Sequence, residues 1–161
     1  IGKLDGHQKR IGAKVVAFDP KGVPEGTTRV GSILELARQV DAITLHCDLN
    51  PTSHHIISKR VVDSLPEGAI LINTARGGLV DERVVLDALR NQHLSFVGLD
   101  VFENEPCAYL ELVNSIKGLH LLPHAAGFHQ SLLVDMTKGL RTICDAFSMG
   151  EVIPHELFSQ S

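Results

Sequence analysis

The sequence predicts an α/β protein built on a doubly wound parallel sheet, and three observations predict it. Short β-rich apolar runs alternate with stretches of helical periodicity along the chain. One run, Ala69 to Thr74 (AILINT), is apolar almost throughout, the pattern of a strand covered on both faces. The polar and glycine-containing segments sit just after the strands, where open α/β sheets bind ligands.

Taken in order, Lys14 to Phe18 (KVVAF) is the first strand, closed by Asp19-Pro20 and followed by Pro and Gly punctuation through Gly26. Ser32 is placed to cap a helix over Ile33 to Gln39, with Glu35 as its capping-box partner. Ala42 to Cys47 is the second strand. Ser58 caps a short helix ending near Leu65. The buried strand Ala69 to Thr74 comes next. Asp81 caps a helix over Glu82 to Gln92 whose apolar face carries Val84, Val85, Ala88 and Leu89. Phe96 to Val101 and Leu119 to Leu122 are the last strands, the latter closed by Pro123-His124. A long helix from about Gln130 to Met149 ends the pattern, with Leu132, Leu133, Met136, Leu140, Ile143 and Phe147 as its apolar stripe. No internal repeat, low-complexity segment or linker interrupts this order, so one domain over residues 1–161 is expected.

Composition narrows the function classes. Hydrophobic residues at 43% and charged residues at 21% are ordinary for a globular domain. A formal net charge of −4 without any Lys/Arg cluster argues against direct nucleic-acid binding. No apolar run is long enough to span a bilayer, and no secretory pattern opens the chain. The three cysteines, Cys47, Cys107 and Cys144, include no Cys-x-x-Cys pair. They indicate neither a disulfide framework nor a metal site, and point to a reducing, cytoplasmic setting. The chain starts at Ile1 rather than Met and is expected to be a fragment or a processed piece.

The residues that carry chemistry follow the strands. Asp19 ends the first one. A carboxylate there accepts hydrogen bonds from an adenosine ribose diol and repels a 2'-phosphate, which favours NAD; an Asp before Pro is also a common turn former. Gly2 precedes Asp19 by close to the ~20 residues that separate a glycine fingerprint from its acidic residue. It therefore reads as the last glycine of a fingerprint whose strand and earlier glycines lie upstream. Lys3 to Arg10, the stretch that should form the phosphate-facing helix, is polar and contains Gly6, which costs ~1 kcal/mol relative to Ala in a helix interior. Weakened pyrophosphate binding is the expectation there.

At the end of the buried strand, Asn73-Thr74-Ala75-Arg76-Gly77-Gly78 combines a tight glycine turn with a guanidinium able to grip a carboxylate in two-pronged fashion. A surface Arg in a turn is the plain alternative. Asp100 and Glu105 follow the next strand, and His124 follows the last. Arg76, Glu105 and His124, each past the end of a different strand, would converge on one crevice suited to carbonyl reduction. Arg76 would orient the substrate carboxylate, and His124 would give a proton to the developing alkoxide. Glu105 would hold its tautomer and stabilise the imidazolium.

Three strings carry a family resemblance: Ile72 to Glu82 (INTARGGLVDE), Gly98 to Pro106 (GLDVFENEP) and Pro123-His124. They resemble the D-isomer-specific 2-hydroxyacid dehydrogenases from about Gly12 to Pro154, with closest likeness to the corepressor-like and glyoxylate/hydroxypyruvate reductase branch. The resemblance implies a Rossmann-like NAD-binding domain, truncated at its N-terminus and lacking its substrate domain, and the roles just given to Arg76, Glu105 and His124. It further implies that Asp100 meets the nicotinamide amide and Asp19 the ribose. Backbone at Cys47, Asp48, Asn50, Thr52, Thr74 and Ala75, together with Gly2 and Ala126, would line the cofactor. A homodimer through this domain is implied as well.

Three functional readings stand at this point. The first is an NAD(H)-dependent oxidoreductase interconverting a small 2-oxo acid and a D-2-hydroxy acid, expected to be inactive as this isolated chain. The second is an NAD(H)-sensing transcriptional corepressor-like protein, suggested by His46 to Ile56 (HCDLNPTSHHI), which would be nuclear. The third is a degenerate, non-catalytic piece of the family.

Overall fold

The structure, a computed structural model, describes residues 14–105, 107, 110–112 and 115–125. The chain divides into two compact units, Ile1–His124 and Ala125–Ser161. Apart from Ala125, the second unit lies outside the described residues. The same holds for Gly2, Gly6, Ala126, Cys144 and the helix expected over Gln130 to Met149.

The described strands all pair in parallel. β1 (Val16–Ala17) pairs with β2 (Thr28–Arg29), Val16 opposite Thr28. β3 (Ala42–Leu45), β4 (Ala69–Asn73), β5 (Leu94–Leu99) and β6 (Leu119–Leu121) form a four-stranded sheet in that order. Helix α1 (Ile33–Ala37) precedes β3, α2 (Lys59–Val62) crosses from β3 to β4, and α3 (Glu82–Arg90) crosses from β4 to β5. Single 3-10 turns cover Gly77–Leu79 and Leu110–Leu112. The parallel α/β class is therefore as expected.

The elements are shorter than the apolar pattern suggested, for local reasons. The expected strand over Lys14 to Phe18 contracts to two residues, and β2 was not expected, since both its residues are polar and exposed. β5 begins two residues earlier than expected. Its pairing slips between Ala69 and Ile70, leaving Ser95 as an extra residue whose hydroxyl donates to the Gly68 carbonyl at 2.6 Å. Ser32 caps α1 as expected, accepting from Glu35 N at 3.1 Å, but the Glu35 carboxylate reaches back to Gly31 N at 2.8 Å, one residue before the cap. Ser58 stands at the cap position of α2 without a side-chain cap bond; its carbonyl serves Val61 and Val62 instead. Asp81 caps α3 by accepting from Val84 N at 3.3 Å. Gln92, at φ 63, closes the turn that follows α3.

Among the described residues, the core lies on one face of the sheet. Ile43, Leu45, Leu71, Val97, Leu99 and Leu119 meet Leu36, Ala37, Val61, Val62, Val85, Leu86 and Leu89 in one buried cluster. Burying each of these Val, Leu or Ile side chains contributes about 1.5–3 kcal/mol. The inward stripe of α3 is Val85, Leu86 and Leu89, with Val84 and Ala88 half-buried, a rotation of the face expected from the sequence. β4 is not covered equally on both sides. Ala69, Leu71 and Asn73 are buried, whereas Ile72 is 37% exposed, because its alternate residues face away from the described helices. Among the described residues no helix is long and apolar enough to cross a membrane.

Candidate active site

Parallel pairing aligns the carboxyl ends of the strands. Asn73 is opposite Leu99, and Leu99 is opposite Leu121. The ladder continues one step beyond each strand, with Asp100 N donating to Asn73 O at 3.0 Å and Leu122 N to Leu99 O at 2.9 Å. Arg76, Asp100 with Glu105, and His124 thus leave the sheet from three neighbouring strands along one edge.

The turn after β4 is built by Asn73, whose side chain is fully buried. Its Oδ1 accepts from Ala75 N at 3.1 Å and its Nδ2 donates to Arg76 O at 2.9 Å, so a side chain closes the turn that backbone alone would leave open. Arg76 is exposed, and its Nη1 donates to the Ala75 carbonyl at 2.6 Å. Next to it, Gly77 lies against the backbone of Phe102 and Glu103 so closely that an added Cβ would overlap the Phe102 carbonyl and Glu103 N. The loop after β5 therefore rests on the loop after β4.

A second tie holds that loop. The Glu82 carboxylate, buried in the first turn of α3, accepts from Glu103 N at 2.7 Å. Desolvation pushes the Glu82 carboxyl above the usual carboxylate range, opposed by that N–H and reinforced by the neighbouring Glu103 carboxylate. From the loop so fixed, Glu105 meets His124: Nδ1 lies 3.1 Å from Oε1 and 3.3 Å from Oε2. Glu105 Oε1 also accepts from Phe102 N at 3.4 Å. His124 adopts φ 55, a left-handed conformation uncommon outside glycine and enriched at functional sites. A carboxylate at Nδ1 selects the tautomer with its proton there, which leaves Nε2 as the nitrogen a substrate would meet.

Asp19 is partly exposed just past β1, and its Oδ1 accepts from Lys21 N at 2.8 Å. The segment after β3 is a locked turn. Asn50 Oδ1 accepts from Thr52 N (2.9 Å), Thr52 Oγ1 (2.7 Å) and Ser53 N (3.2 Å), and Ser53 Oγ donates to Asp48 O at 2.7 Å. The side chains of Asn50 and Thr52 thus shape the loop that presents its backbone at this edge. Desolvation raises the Cys47 thiol above its ordinary value, and the Asp48 and Asp19 carboxylates push it the same way. Thr74, Ala75 and Asp100 stand at the ends of β4 and β5, with Asp100 2% exposed.

The structure thus pairs Glu105 with His124 and sets Arg76 two strands away on the same edge. The sequence marks Gly77 as a turn glycine, but its backbone is not left-handed and what requires glycine there is the close approach of the Phe102–Glu103 backbone; the organising roles of the Asn73 side chain and of Glu82 are not legible in the sequence. An Asn ending an apolar strand and a Glu next to a helix cap were the available signals, but each is also ordinary at such a place.

The family model for the D-isomer specific 2-hydroxyacid dehydrogenase NAD binding domain matches residues 4–126. The chain belongs to this family. It is 39% identical over 131 residues to an (S)-sulfolactate dehydrogenase of Chromohalobacter salexigens, covering 75% of this chain and 41% of that protein. The TT0316 protein of Thermus thermophilus superposes with a TM-score of 0.87 at 27% identity, over 94% of this chain and 48% of that one. The D-lactate dehydrogenase of Escherichia coli gives 0.82 at 28% identity, over 92% and 50%. The chain thus spans half or less of the length of these relatives. The superpositions confirm a Rossmann-like fold. The residues present fit an NAD-binding domain of this family. A partly exposed carboxylate follows β1 where a ribose diol would need an acceptor, and the 47–53 and 74–75 loops line the same edge.

Proposed function

We propose that the protein carrying this chain is an NAD(H)-dependent oxidoreductase that interconverts a small 2-oxo acid and a D-2-hydroxy acid. The Glu105–His124 pair at the carboxyl edge of the sheet carries this reading. Bound NADH supplies a hydride to the carbonyl carbon. The chain's own groups supply the rest. Arg76 turns its guanidinium from the Ala75 carbonyl to the substrate carboxylate. His124 Nε2 delivers a proton to the carbonyl oxygen as that oxygen becomes a hydroxyl, and Glu105 keeps the ring oriented and offsets its charge. The relatives named for sulfolactate and lactate both act on three-carbon 2-hydroxy acids, and a substrate of that size is proposed here. Asp19, facing the ribose, selects NADH over NADPH.

Positioning supplies a large share of barrier lowering in such reactions. The chain by itself is therefore proposed to bind cofactor while catalysing little. Two measurements test these statements. NADH titrated into this chain and followed by fluorescence should saturate, with NADPH binding more weakly; no binding at millimolar concentration would overturn the cofactor assignment. In the full-length protein, His124→Gln should abolish most NADH-dependent 2-oxo acid reduction, and an unchanged rate would remove His124 from the reaction.

A further inference from the structure

We propose that His54, His55 and Glu103 form a binding site for a divalent transition metal of the zinc class. The site is separate from the Glu105–His124 pair and does not depend on the function proposed above. Neither the scattered histidines nor the cysteine spacing indicates it in the sequence, because its ligands come from two loops about fifty positions apart.

Three donor atoms converge. His54 Nε2 lies 3.3 Å and His55 Nε2 3.2 Å from the same oxygen, Glu103 Oε1, and all three ligand atoms fall within 4.8 Å of one another. Metal–nitrogen and metal–oxygen bonds of about 2.0–2.2 Å in a tetrahedron put neighbouring ligands roughly 3.3 Å apart. The two His–Glu separations already have that value, and the two imidazole nitrogens, within 4.8 Å of each other, would close to it on binding. Two imidazoles and one carboxylate are a donor set for zinc and its neighbours rather than for calcium or magnesium. Three protein ligands on a half-exposed surface leave the fourth position to water.

The backbone is arranged to bring these groups together. Consecutive side chains of an extended segment point to opposite sides. His55 instead takes φ 49, and its ring lies against that of His54, centroids 3.9 Å apart at an interplanar angle of 27°. The loop is fixed beneath the rings by His55 N to Gly78 O at 2.8 Å and Ile57 N to Leu79 O at 3.0 Å. Glu103 is fixed on the opposite side by its own N–H to Glu82. The backbone that carries the donors is thus held, and the stacked, partly exposed rings must turn to aim both Nε2 lone pairs at one ion. An ion bound here would clamp the loop after β3 to the loop that carries Asp100 and Glu105.

The test is isothermal titration of zinc chloride into the metal-stripped chain, with X-ray absorption at the zinc edge. The expected result is one tight site with a nitrogen/oxygen shell, weakened about tenfold or more by His54→Gln and by Glu103→Gln. His120→Gln, altering an exposed histidine that stacks on Phe96, should leave it unchanged. Zinc should also raise the melting temperature of the unaltered chain and not that of Glu103→Gln, which separates lost binding from lost folding. Absence of a tight site, a sulfur-containing shell, or affinity in both ligand variants equal to that of the unaltered chain would overturn the proposal.

Discussion

Gly77 and Gly78 are neighbours of the same type, yet they should respond very differently to alanine. Neither has a left-handed backbone, so conformation alone favours the substitution, by about 0.4–1 kcal/mol through the unfolded chain. Contact decides the outcome. At Gly78 the new methyl would meet Leu49 Cδ2 at 3.1 Å, Leu49 Cδ1 at 3.3 Å and His54 Cδ2 at 3.5 Å. Leu49 is 44% exposed and its tip can turn aside. At Gly77 the methyl would overlap the Phe102 carbonyl and Glu103 N, which are backbone. With the added carbon overlapping the Phe102 carbonyl carbon, that loop would have to retreat by about 1.6 Å to restore ordinary carbon contacts of ~3.5 Å. Such overpacking costs ~1–3 kcal/mol. The retreat also stretches the 2.7 Å bond from Glu103 N to the buried Glu82 carboxylate, and an unsatisfied buried acceptor costs ~1–3 kcal/mol. Gly77→Ala should therefore destabilise by roughly 2–4 kcal/mol net, and Gly78→Ala by less than ~1 kcal/mol. Urea denaturation of the two variants and the parent chain, followed by circular dichroism, measures the difference. If the two variants unfold at the same urea concentration, the packing of the β4 loop on the β5 loop is not what holds this edge together.

Three further outcomes follow from the site. In the full-length protein, His124→Gln should lower kcat by about 10²–10⁴, the range for losing a positioned acid, and Glu105→Gln should lower it by less; steady-state kinetics separates them. Asp19→Asn should narrow the preference for NADH over NADPH at least about tenfold, since a like-charge repulsion of a 2'-phosphate disappears; parallel titrations of both cofactors read it. Glu82→Gln keeps an acceptor for Glu103 N and removes a charge that burial disfavours. Because the folded carboxyl titrates above its unfolded value, the stability it contributes through proton binding is full below about pH 4.3 and is lost as pH rises through the raised value. The variant should thus gain on the parent chain over that interval and hold a constant advantage above it, as thermal melts across pH would show.

Much of the fold was readable because parallel α/β architecture repeats its signals. β4 and α3 announce themselves by an apolar run and by an Asp cap before a periodic stripe. β2 did not, because two exposed polar residues form a strand only through their partner, and pairing partners leave no local mark. The start of β5 lies two residues before the apolar run suggests, because its first pairing, Leu94 with Ala69, is set by the neighbouring strand and is followed by an extra residue at Ser95. The site divides similarly. Arg76, Glu105 and His124 could be chosen because each follows a strand end. The roles of Asn73 and Glu82 could not be read, because their side chains act on backbone groups, Asn73 within its own turn and Glu82 on a distant loop, and Gly77 could be read as a turn glycine but not as a point of contact with the Phe102–Glu103 backbone. The His54–His55–Glu103 cluster depends on a left-handed turn at a histidine, which residue type alone does not foretell.

The sheet also acts as a ruler. Adjacent strands lie about 4.8 Å apart, so the ends of β4 and β6, with β5 between them, stand roughly 10 Å apart. That interval belongs to the hydrogen-bonded lattice and not to any loop, so loop substitutions leave it unchanged. On the function proposed above, a guanidinium carried three residues past one mark and an imidazole carried three residues past the other would receive a molecule whose carboxylate and carbonyl sit on adjacent carbons. Chain length beyond those two carbons is not measured by the lattice, and selectivity for it has to be written elsewhere in the protein.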